Sequence, residues 1–189
     1  MSTVDTAAVP PEAAAAQRVF QIATGHIVAS ALRSALVFNI PDRLAAGPRP
    51  VADLARESGA DEDALYRVLR ALTSLGIFEE TAPRTFGPAL PSRMLQSGPG
   101  SLRGLVRWIS DPMPMRAHGA MEHSVRTGKP AADHVYGMPV FEYFSQHPDI
   151  SEIFNDGMTS FSAVIVPAVI EAYDFSGITT LVDVAGGHG

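Results

Sequence analysis

The C-terminal stretch, residues 181–189, combines an acidic residue with a glycine-rich turn that can bind a ligand through its backbone. Asp183 lies in the apolar run 179–184, and Ala185, Gly187 and Gly189 follow it at alternate positions. Small residues in such a turn let backbone N–H groups approach a bound molecule closely. The pattern therefore predicts a strand over residues 179–184 that delivers the turn to a nucleotide-like ligand.

The spacing of this stretch fits acid-x-Gly-x-Gly-x-Gly, with Ala185 in place of the first glycine. Dinucleotide-binding dehydrogenases use a similar loop, so the glycines alone have low specificity. An acidic residue two positions before the first small residue favours a methyl-donor site. A tight turn that binds no ligand is the alternative. His188 occupies the variable position of the turn, and we interpret it as a bystander.

Aromatic and methionine side chains upstream form a second group of candidate functional residues, within residues 136–144 and 154–158. Phe154, Met158 and Ser162 follow one another at intervals of four, so they share one helix face. A flat ring, a thioether and a hydroxyl on one face would suit a planar aromatic guest beside a polar cofactor. Side chains of this kind at helical spacing more often form a core, so core packing is the alternative.

The composition excludes several classes of protein. The chain has 189 residues, of which 46% are hydrophobic and 18% charged, as expected for one or two globular domains. A net charge of −6 makes nucleic acid and anionic membranes poor partners. There is no cysteine, and the histidines lack metal-ligand spacing, so no metal is expected. No signal peptide or membrane-spanning run is recognised, and we expect a cytoplasmic protein.

The N-terminal part predicts a mainly helical fold that begins with one long helix over residues 13–38. Its apolar side chains form two rows at intervals of four: Ile27, Ala31 and Ala35, and Val28, Leu32 and Leu36. The apolar face is therefore wide and needs partners on more than one side. The sequence leaves two alternatives, an ordinary core helix and a helix that is shared across a homodimer.

Residues 51–86 predict helix, turn, helix and a two-stranded hairpin, which is the winged-helix pattern. Asp61 is placed to cap the second helix, and Gly76 to end it. Winged helices often bind DNA, which requires a basic surface. Here the second helix opens with Asp61, Glu62 and Asp63, so a structural or dimer-packing role is favoured over DNA binding.

Taken in order, these segments resemble the S-adenosylmethionine-dependent small-molecule O-methyltransferases, the family of caffeic acid and acetylserotonin methyltransferases. The resemblance covers nearly the whole chain, through residues 65–78, 136–143, 154–158 and 181–189. It implies three parts. They are a helical dimerisation domain with a winged-helix unit that does not bind DNA (12–100), a helical linker and acceptor-pocket region (101–176) and the first strand of a truncated Rossmann-like α/β methyltransferase domain (177–189).

The resemblance also implies roles for individual residues. Asp183, Ala185, Gly187 and Gly189 match the motif that binds S-adenosyl-L-methionine, and Ser162 lies where the family places a hydroxyl near that donor. Phe154 and Met158 correspond to residues that line the acceptor pocket, and Trp108 and Met113 are expected to approach the acceptor. The implied activity is O-methylation of a small aromatic hydroxyl compound in secondary metabolism, by a homodimer joined through its N-terminal helices.

The family's general base is a histidine in the later part of the catalytic domain, beyond the position of Gly189. The acidic residue that binds the donor's ribose also lies beyond it. We therefore assign no catalytic residue to this chain and expect it to be the N-terminal part of an enzyme, inactive alone. Two alternatives remain open, a relative of the same fold that hydroxylates or decarboxylates a polyketide, and a winged-helix DNA-binding regulator.

Overall fold

The computed structural model describes residues 10–186, and three helices open this part of the chain. They are α1 (Pro11–Ala23), α2 (Gly25–Val37) and α3 (Ile40–Arg43). The single helix predicted over residues 13–38 is interrupted at Thr24, whose hydroxyl donates a hydrogen bond to the Phe20 carbonyl at 2.8 Å. Such bonds from a side chain back to the preceding turn compete with helix continuation. α1 and α2 are therefore separate elements.

A helix pair and a small antiparallel sheet follow. The elements are β1 (Arg49–Pro50), α4 (Val51–Ser58), α5 (Glu62–Ser74), β2 (Phe78–Ala82), β3 (Thr85–Pro88) and α6 (Leu90–Arg93). The strand order is β1-β3-β2, and both pairs are antiparallel. The sequence predicts the hairpin but not β1. A strand of two residues, one of them proline, is too short to show a periodic pattern.

The predicted ends of α5 are confirmed. The Asp61 carboxylate accepts a hydrogen bond from the Ala64 N–H at 2.8 Å, and Gly76 has a φ of 73° just after the helix. This left-handed conformation is easily reached only by glycine. The apolar face of α5 packs into the main core together with side chains from α2, α3, α4 and the hairpin: Ala35, Ile40, Leu44, Leu54, Leu65, Leu69, Leu72, Phe78 and Phe86.

The second half of the described chain is helical. Its elements are α7 (Arg103–Ile109), α8 (Pro112–Gly119), α9 (Met121–Thr127), α10 (Ala131–Tyr136), α11 (Val140–Gln146) and α12 (Pro148–Ala172). α7 ends at Ile109, as the prolines of residues 111–114 predict, and α8 begins at once, with Asp111 as its cap and Pro112 at its first position. Proline fits there because the first N–H groups of a helix have no partner within it. α12 continues through Pro167, where the sequence suggests a bend or restart.

Two glycines allow α7 and α12 to pack closely. A Cβ on Gly104 would lie 2.5 Å from the Asp156 carbonyl oxygen, and a Cβ on Gly157 would lie 2.7 Å from the Trp108 Cβ. These distances are too short for real side chains, so this crossing requires glycine on both helices. The contact fixes Trp108 against α12.

The stretch after α12 departs from the sequence prediction. Residues 179–184 were expected to form a strand, but no strand is present between residues 173 and 186. A strand needs a neighbour for its N–H and C=O groups, and the described chain offers none there.

α12 is long and apolar enough to cross a bilayer by length and composition, yet only 6% of its most apolar window is buried. An isolated helix of this kind is weak evidence for a membrane span, because core helices have the same composition.

Candidate functional site

Three aromatic rings from three helices meet at the crossing of α7 and α12. Trp108 packs edge-on against Phe144 and Phe154, with ring centroids 5.8 Å and 5.0 Å away. The Phe144 and Phe154 rings are 4.9 Å apart. Edge-to-face aromatic pairs at these distances stabilise one another beyond simple burial. The cluster therefore holds the indole of Trp108 in a defined orientation.

A cavity of about 340 Å³ lies beside Trp108, between α8, α9 and α10. Most of its wall is apolar, and its polar residues are Ser124, which is half-buried, and His118, which is exposed. The other lining residues include Trp108, Met113, Ala117, Met121, Ala131, Ala132 and Val140. Concave, largely apolar sites with a few polar groups are typical of binding sites for small organic molecules. The cavity is the best candidate for a ligand site in residues 10–186.

Met113, on the wall of this cavity, is fixed through its backbone. The Asp111 carboxylate accepts a hydrogen bond from the Met113 N–H at 2.9 Å and another from the Arg33 guanidinium at 2.9 Å. The Tyr136 hydroxyl donates to the Met113 carbonyl at 2.7 Å. Burial, and secondarily the neighbouring Tyr143, raises the pKa of Tyr136, so this donor keeps its proton. Asp111, only 3% exposed, thus joins the N-terminal helices to the cavity wall.

The proposed donor turn is described as far as Gly186. The Asp183 carboxylate lies so close to Gly186 that a Cβ at this position would overlap it. Ala185 has a φ of 60°, in the left-handed region where the family's glycine would be unstrained. The turn therefore fits a small-residue cradle for a backbone-bound ligand. Gly187 and Gly189, the other two residues predicted to bind the donor, lie outside the described residues.

The structure brings together part of the set predicted from the sequence. Trp108 and Met113 line one cavity, and Phe154 contacts the Trp108 ring without lining it. Met158 and the exposed Ser162 follow on later turns of α12. Asp183 and Ala185 come after that helix and are not part of the cavity wall.

Several cavity residues were missed by sequence reasoning, and one was dismissed. His118 entered the sequence analysis only as one of the histidines without metal-ligand spacing. Phe144, which packs on Trp108 outside the cavity wall, was noted only as one of an aromatic group. Ser124, Ala131 and Ala132 carry no motif of their own. Gly157 was a signal in the sequence for the close crossing of α7 and α12. Glycine inside a helix is costly and often marks a close approach of another element.

The fold and the cavity define a mainly helical protein with a small antiparallel sheet and an apolar pocket, and comparisons with known proteins identify its family. Residues 20–97 match the model of the O-methyltransferase dimerisation domain, and residues 118–189 match that of the O-methyltransferase domain. The chain belongs to this O-methyltransferase family.

Two curated relatives illustrate the similarity. Phenazine O-methyltransferase PhzM of Lysobacter antibioticus is 34% identical over 172 residues, which are 90% of this chain and 50% of the relative. The 8-amino-8-demethylriboflavin N,N-dimethyltransferase of Streptomyces davaonensis is 34% identical over 182 residues, 95% of this chain and 52% of the relative. The chain thus spans about half the length of the curated relatives it matches.

Solved structures show the same fold. The crystal structure of LaPhzM superposes with a TM-score of 0.82 at 34% identity, covering 89% of this chain and 49% of that one. CalO1, a methyltransferase in calicheamicin biosynthesis solved with SAH bound, gives a TM-score of 0.75 at 27% identity, covering 88% and 50%. The likeness extends over nearly all of this chain.

Proposed function

We propose that this chain is the N-terminal part of an S-adenosylmethionine-dependent O-methyltransferase that acts on a small aromatic hydroxyl compound. The observation that carries the proposal is the apolar cavity beside Trp108 in a chain of this family. Relatives named as O-methyltransferases and a related structure with SAH bound support the reaction and the donor. The N,N-dimethyltransferase among them makes an amine acceptor the second candidate.

The donor supplies an electrophilic methyl group when bound. In this proposal Asp183, Ala185, Gly187 and Gly189 hold the donor, with the Ser162 hydroxyl beside it. Four side chains orient the flat acceptor and exclude water from it: Trp108, Met113, Phe154 and Met158. This orientation lowers the entropic barrier to in-line attack. None of the chain's residues is assigned the role of proton acceptor.

We further propose three parts, with boundaries at residues 12–100, 101–176 and 177–189. The first part is a winged-helix dimerisation unit. Apolar side chains on α1 and α2 support a homodimer, since Phe20 is 69% and Ile27 58% exposed whereas Leu36 is buried within the chain. The apolar face of α1 and α2 thus has two different partners. One is the core of the same chain and the other, in this proposal, is the second protomer. The exposed apolar side chains on the second half of α12 form the face on which the rest of the catalytic domain packs.

Two cations of the same unit are paired within the protein. Arg70 forms an ion pair with Glu80, and Arg84 pairs with Glu62 at 2.6 Å and Asp63 at 2.9 Å. These cations are neutralised within the protein, whereas phosphate binding depends on available Lys and Arg side chains. This pairing supports a packing role for α5 and the hairpin.

The test uses the complete gene product that contains these residues, labelled S-adenosylmethionine and a panel of phenols. We expect transfer of one methyl group, read as product mass, and loss of donor binding in Gly186→Ala, whose Cβ would overlap the Asp183 carboxylate. Gly119→Ala is the matched control, because a Cβ there meets nothing within 4 Å. Absence of donor binding by the unmodified protein would contradict the proposal. A product heavier by one oxygen would show the altered chemistry of a hydroxylase.

A further inference from the structure

Asp111 is the one acidic side chain of residues 10–186 that is buried, at 3% exposure. A carboxylate removed from water is stable only when it is paired with a cation and hydrogen-bonded. The Arg33 guanidinium of α2 provides that cation, through one hydrogen bond at 2.9 Å. Arg116 lines the same cleft as this pair but makes no ion pair within the described residues. Arg33 is therefore the cation on which the buried carboxylate depends.

Asp111 in turn holds two residues in the wall of the apolar cavity. Its backbone N–H donates a hydrogen bond to the Trp108 carbonyl at 3.0 Å, and its carboxylate accepts one from the Met113 N–H at 2.9 Å. Trp108 and Met113 line the cavity, whereas Asp111 does not. A shift of the Asp111 carboxylate would therefore reach a ligand in the cavity only through these two neighbours.

Met113 is a thin partition between two open spaces. It lines the apolar cavity and also a second cleft of about 390 Å³, which Arg33 and Tyr136 line as well. Open space on that second side gives the Met113 side chain a place into which it can move. Its backbone is held at both ends, by the Asp111 carboxylate at the N–H and by the Tyr136 hydroxyl at the carbonyl. These hydrogen bonds, rather than packing alone, keep Met113 in the cavity wall.

We infer that Arg33 is a positioning residue of the acceptor site, which acts through Asp111 to keep Met113 and Trp108 in the cavity wall. The inference rests on the proposed function for the identity of the ligand. It assigns a role in acceptor binding to an arginine of the N-terminal helices that lines no part of the cavity. Because Arg33 touches no ligand in this role, it affects affinity for the acceptor and not the chemical step.

The test is calorimetric titration of the 189-residue chain with 1-naphthol, an apolar probe of the cavity. Arg33→Met keeps the apolar stem of the side chain and removes its charge, so the carboxylate loses its partner and turns away from the Met113 N–H. The affinity for 1-naphthol is expected to fall about tenfold, because hydrogen bonds to charged groups are strong ones. Arg33→Lys is expected to restore most of it, since a single hydrogen bond does not need the fork of arginine.

The double variant Arg33→Met with Asp111→Asn separates positioning from general stability. Asparagine needs no counter-charge, and its side-chain carbonyl can still accept the hydrogen bond from the Met113 N–H. The affinity lost in Arg33→Met is therefore expected to return in the double variant, although the ion pair is absent. A purely structural role of the ion pair predicts no such recovery, so a double variant that binds as weakly as Arg33→Met would contradict the inference.

Arg43→Met is the matched control. Arg43 is also half-buried and forms an ion pair, with Glu57 at 3.1 Å, but it lines no part of the cavity. It should lower stability in urea denaturation and leave the affinity for 1-naphthol unchanged. Circular dichroism shows that each variant is folded. Unchanged affinity in folded Arg33→Met, equal losses in Arg33→Met and Arg43→Met, or no binding by the unmodified chain would overturn the inference.

Binding is measured without S-adenosylmethionine, so the result is independent of methyl transfer. In the complete protein, Arg33→Met is expected to raise the KM for the phenol and to leave kcat and the KM for the donor unchanged. Loss of affinity in Arg33→Met with no methyl transfer by the complete protein would refute the proposed function alone. Methyl transfer with unchanged affinity in Arg33→Met would refute the role of Arg33 alone.

Discussion

Gly157 on α12 lies directly against Trp108 on α7, with only 2.7 Å between the Trp108 Cβ and the place where a Cβ on Gly157 would be. The absence of a side chain at position 157 thus sets how close the indole lies to α12. The same indole forms one wall of the candidate acceptor cavity. The geometry of the cavity therefore depends on a residue that does not line it.

Gly157→Ala is expected to lower the free energy of unfolding by about 1–3 kcal/mol, because the added methyl group forces α7 and α12 apart. The emission of Trp108, the sole tryptophan, should shift as the indole moves. Urea denaturation and fluorescence measure both effects. Gly119→Ala, with open space around its Cβ, is the control. Equal stability of the two variants would contradict the close crossing.

Asp111→Ala is expected to cost about 2–3 kcal/mol of unfolding free energy, because it removes a helix cap and leaves Arg33 without its ion-pair partner. Asp61→Ala is the matched comparison, since Asp61 caps α5 and makes no ion pair within residues 10–186. It should cost about 1 kcal/mol. A double-mutant cycle with Arg33→Ala measures the ion pair. Equal costs for Asp111→Ala and Asp61→Ala would show that the Arg33 contact contributes nothing.

Ala185→Gly is expected to strengthen donor binding. Ala185 has a φ of 60°, and a side chain costs about 1–2 kcal/mol in that left-handed conformation. In this proposal the turn takes the same conformation when the donor binds, and glycine removes the strain that alanine carries there. Calorimetric titration of the complete protein with S-adenosylmethionine measures the gain. Ala172→Gly is the control, because Ala172 is the last residue of α12 and has ordinary helical backbone. Weaker donor binding by Ala185→Gly would contradict the strain argument.

The ion pair between Arg70 and Glu80 is expected to make the hairpin sensitive to acid. The hydrogen bond from Arg70, and next the Arg84 backbone N–H, lowers the pKa of Glu80 in the folded state. A lowered folded-state pKa stabilises the fold above the unfolded-state pKa of about 4.3, and this contribution is lost as the pH falls through the folded value. Glu80→Gln should therefore lose part of the rise in stability between about pH 3 and pH 6.

Urea denaturation across this pH range checks the expectation for Glu80. Glu79→Gln is the neighbouring control, since Glu79 forms no ion pair with any described residue. Identical pH profiles for the two variants would show that the contact with Arg70 is not maintained in solution.

Phe20→Asp is expected to convert the proposed homodimer to a monomer, because it places a charge on the exposed apolar surface of α1. Leu90→Asp is the control, an apolar side chain that is 74% exposed outside α1 and α2. Sedimentation velocity measures both variants. A dimer that survives Phe20→Asp, or a monomer in the unmodified protein at high concentration, would contradict the proposed interface.

Local rules in the sequence were sufficient for α5 and the hairpin. The cap at Asp61, the left-handed Gly76 and the buried face at Leu65, Leu69 and Leu72 all depend on residues within a few positions of one another. Capping, glycine conformation and helical periodicity are short-range effects, so one sequence is enough to predict them. The sequence also contained the motifs that resemble the family.

Tertiary structure decided what depends on distant partners. Residues 179–184 have the composition of a strand but form none, because pairing requires a neighbour that the described chain does not provide. Asp111 caps α8 and also accepts a hydrogen bond from Arg33 of α2, which is 78 positions away in the sequence. The cavity exists because α8, α9 and α10 meet beside Trp108, with alanines of α8 and α10 in its wall. Non-local packing sets such contacts, and periodicity along the chain does not encode them.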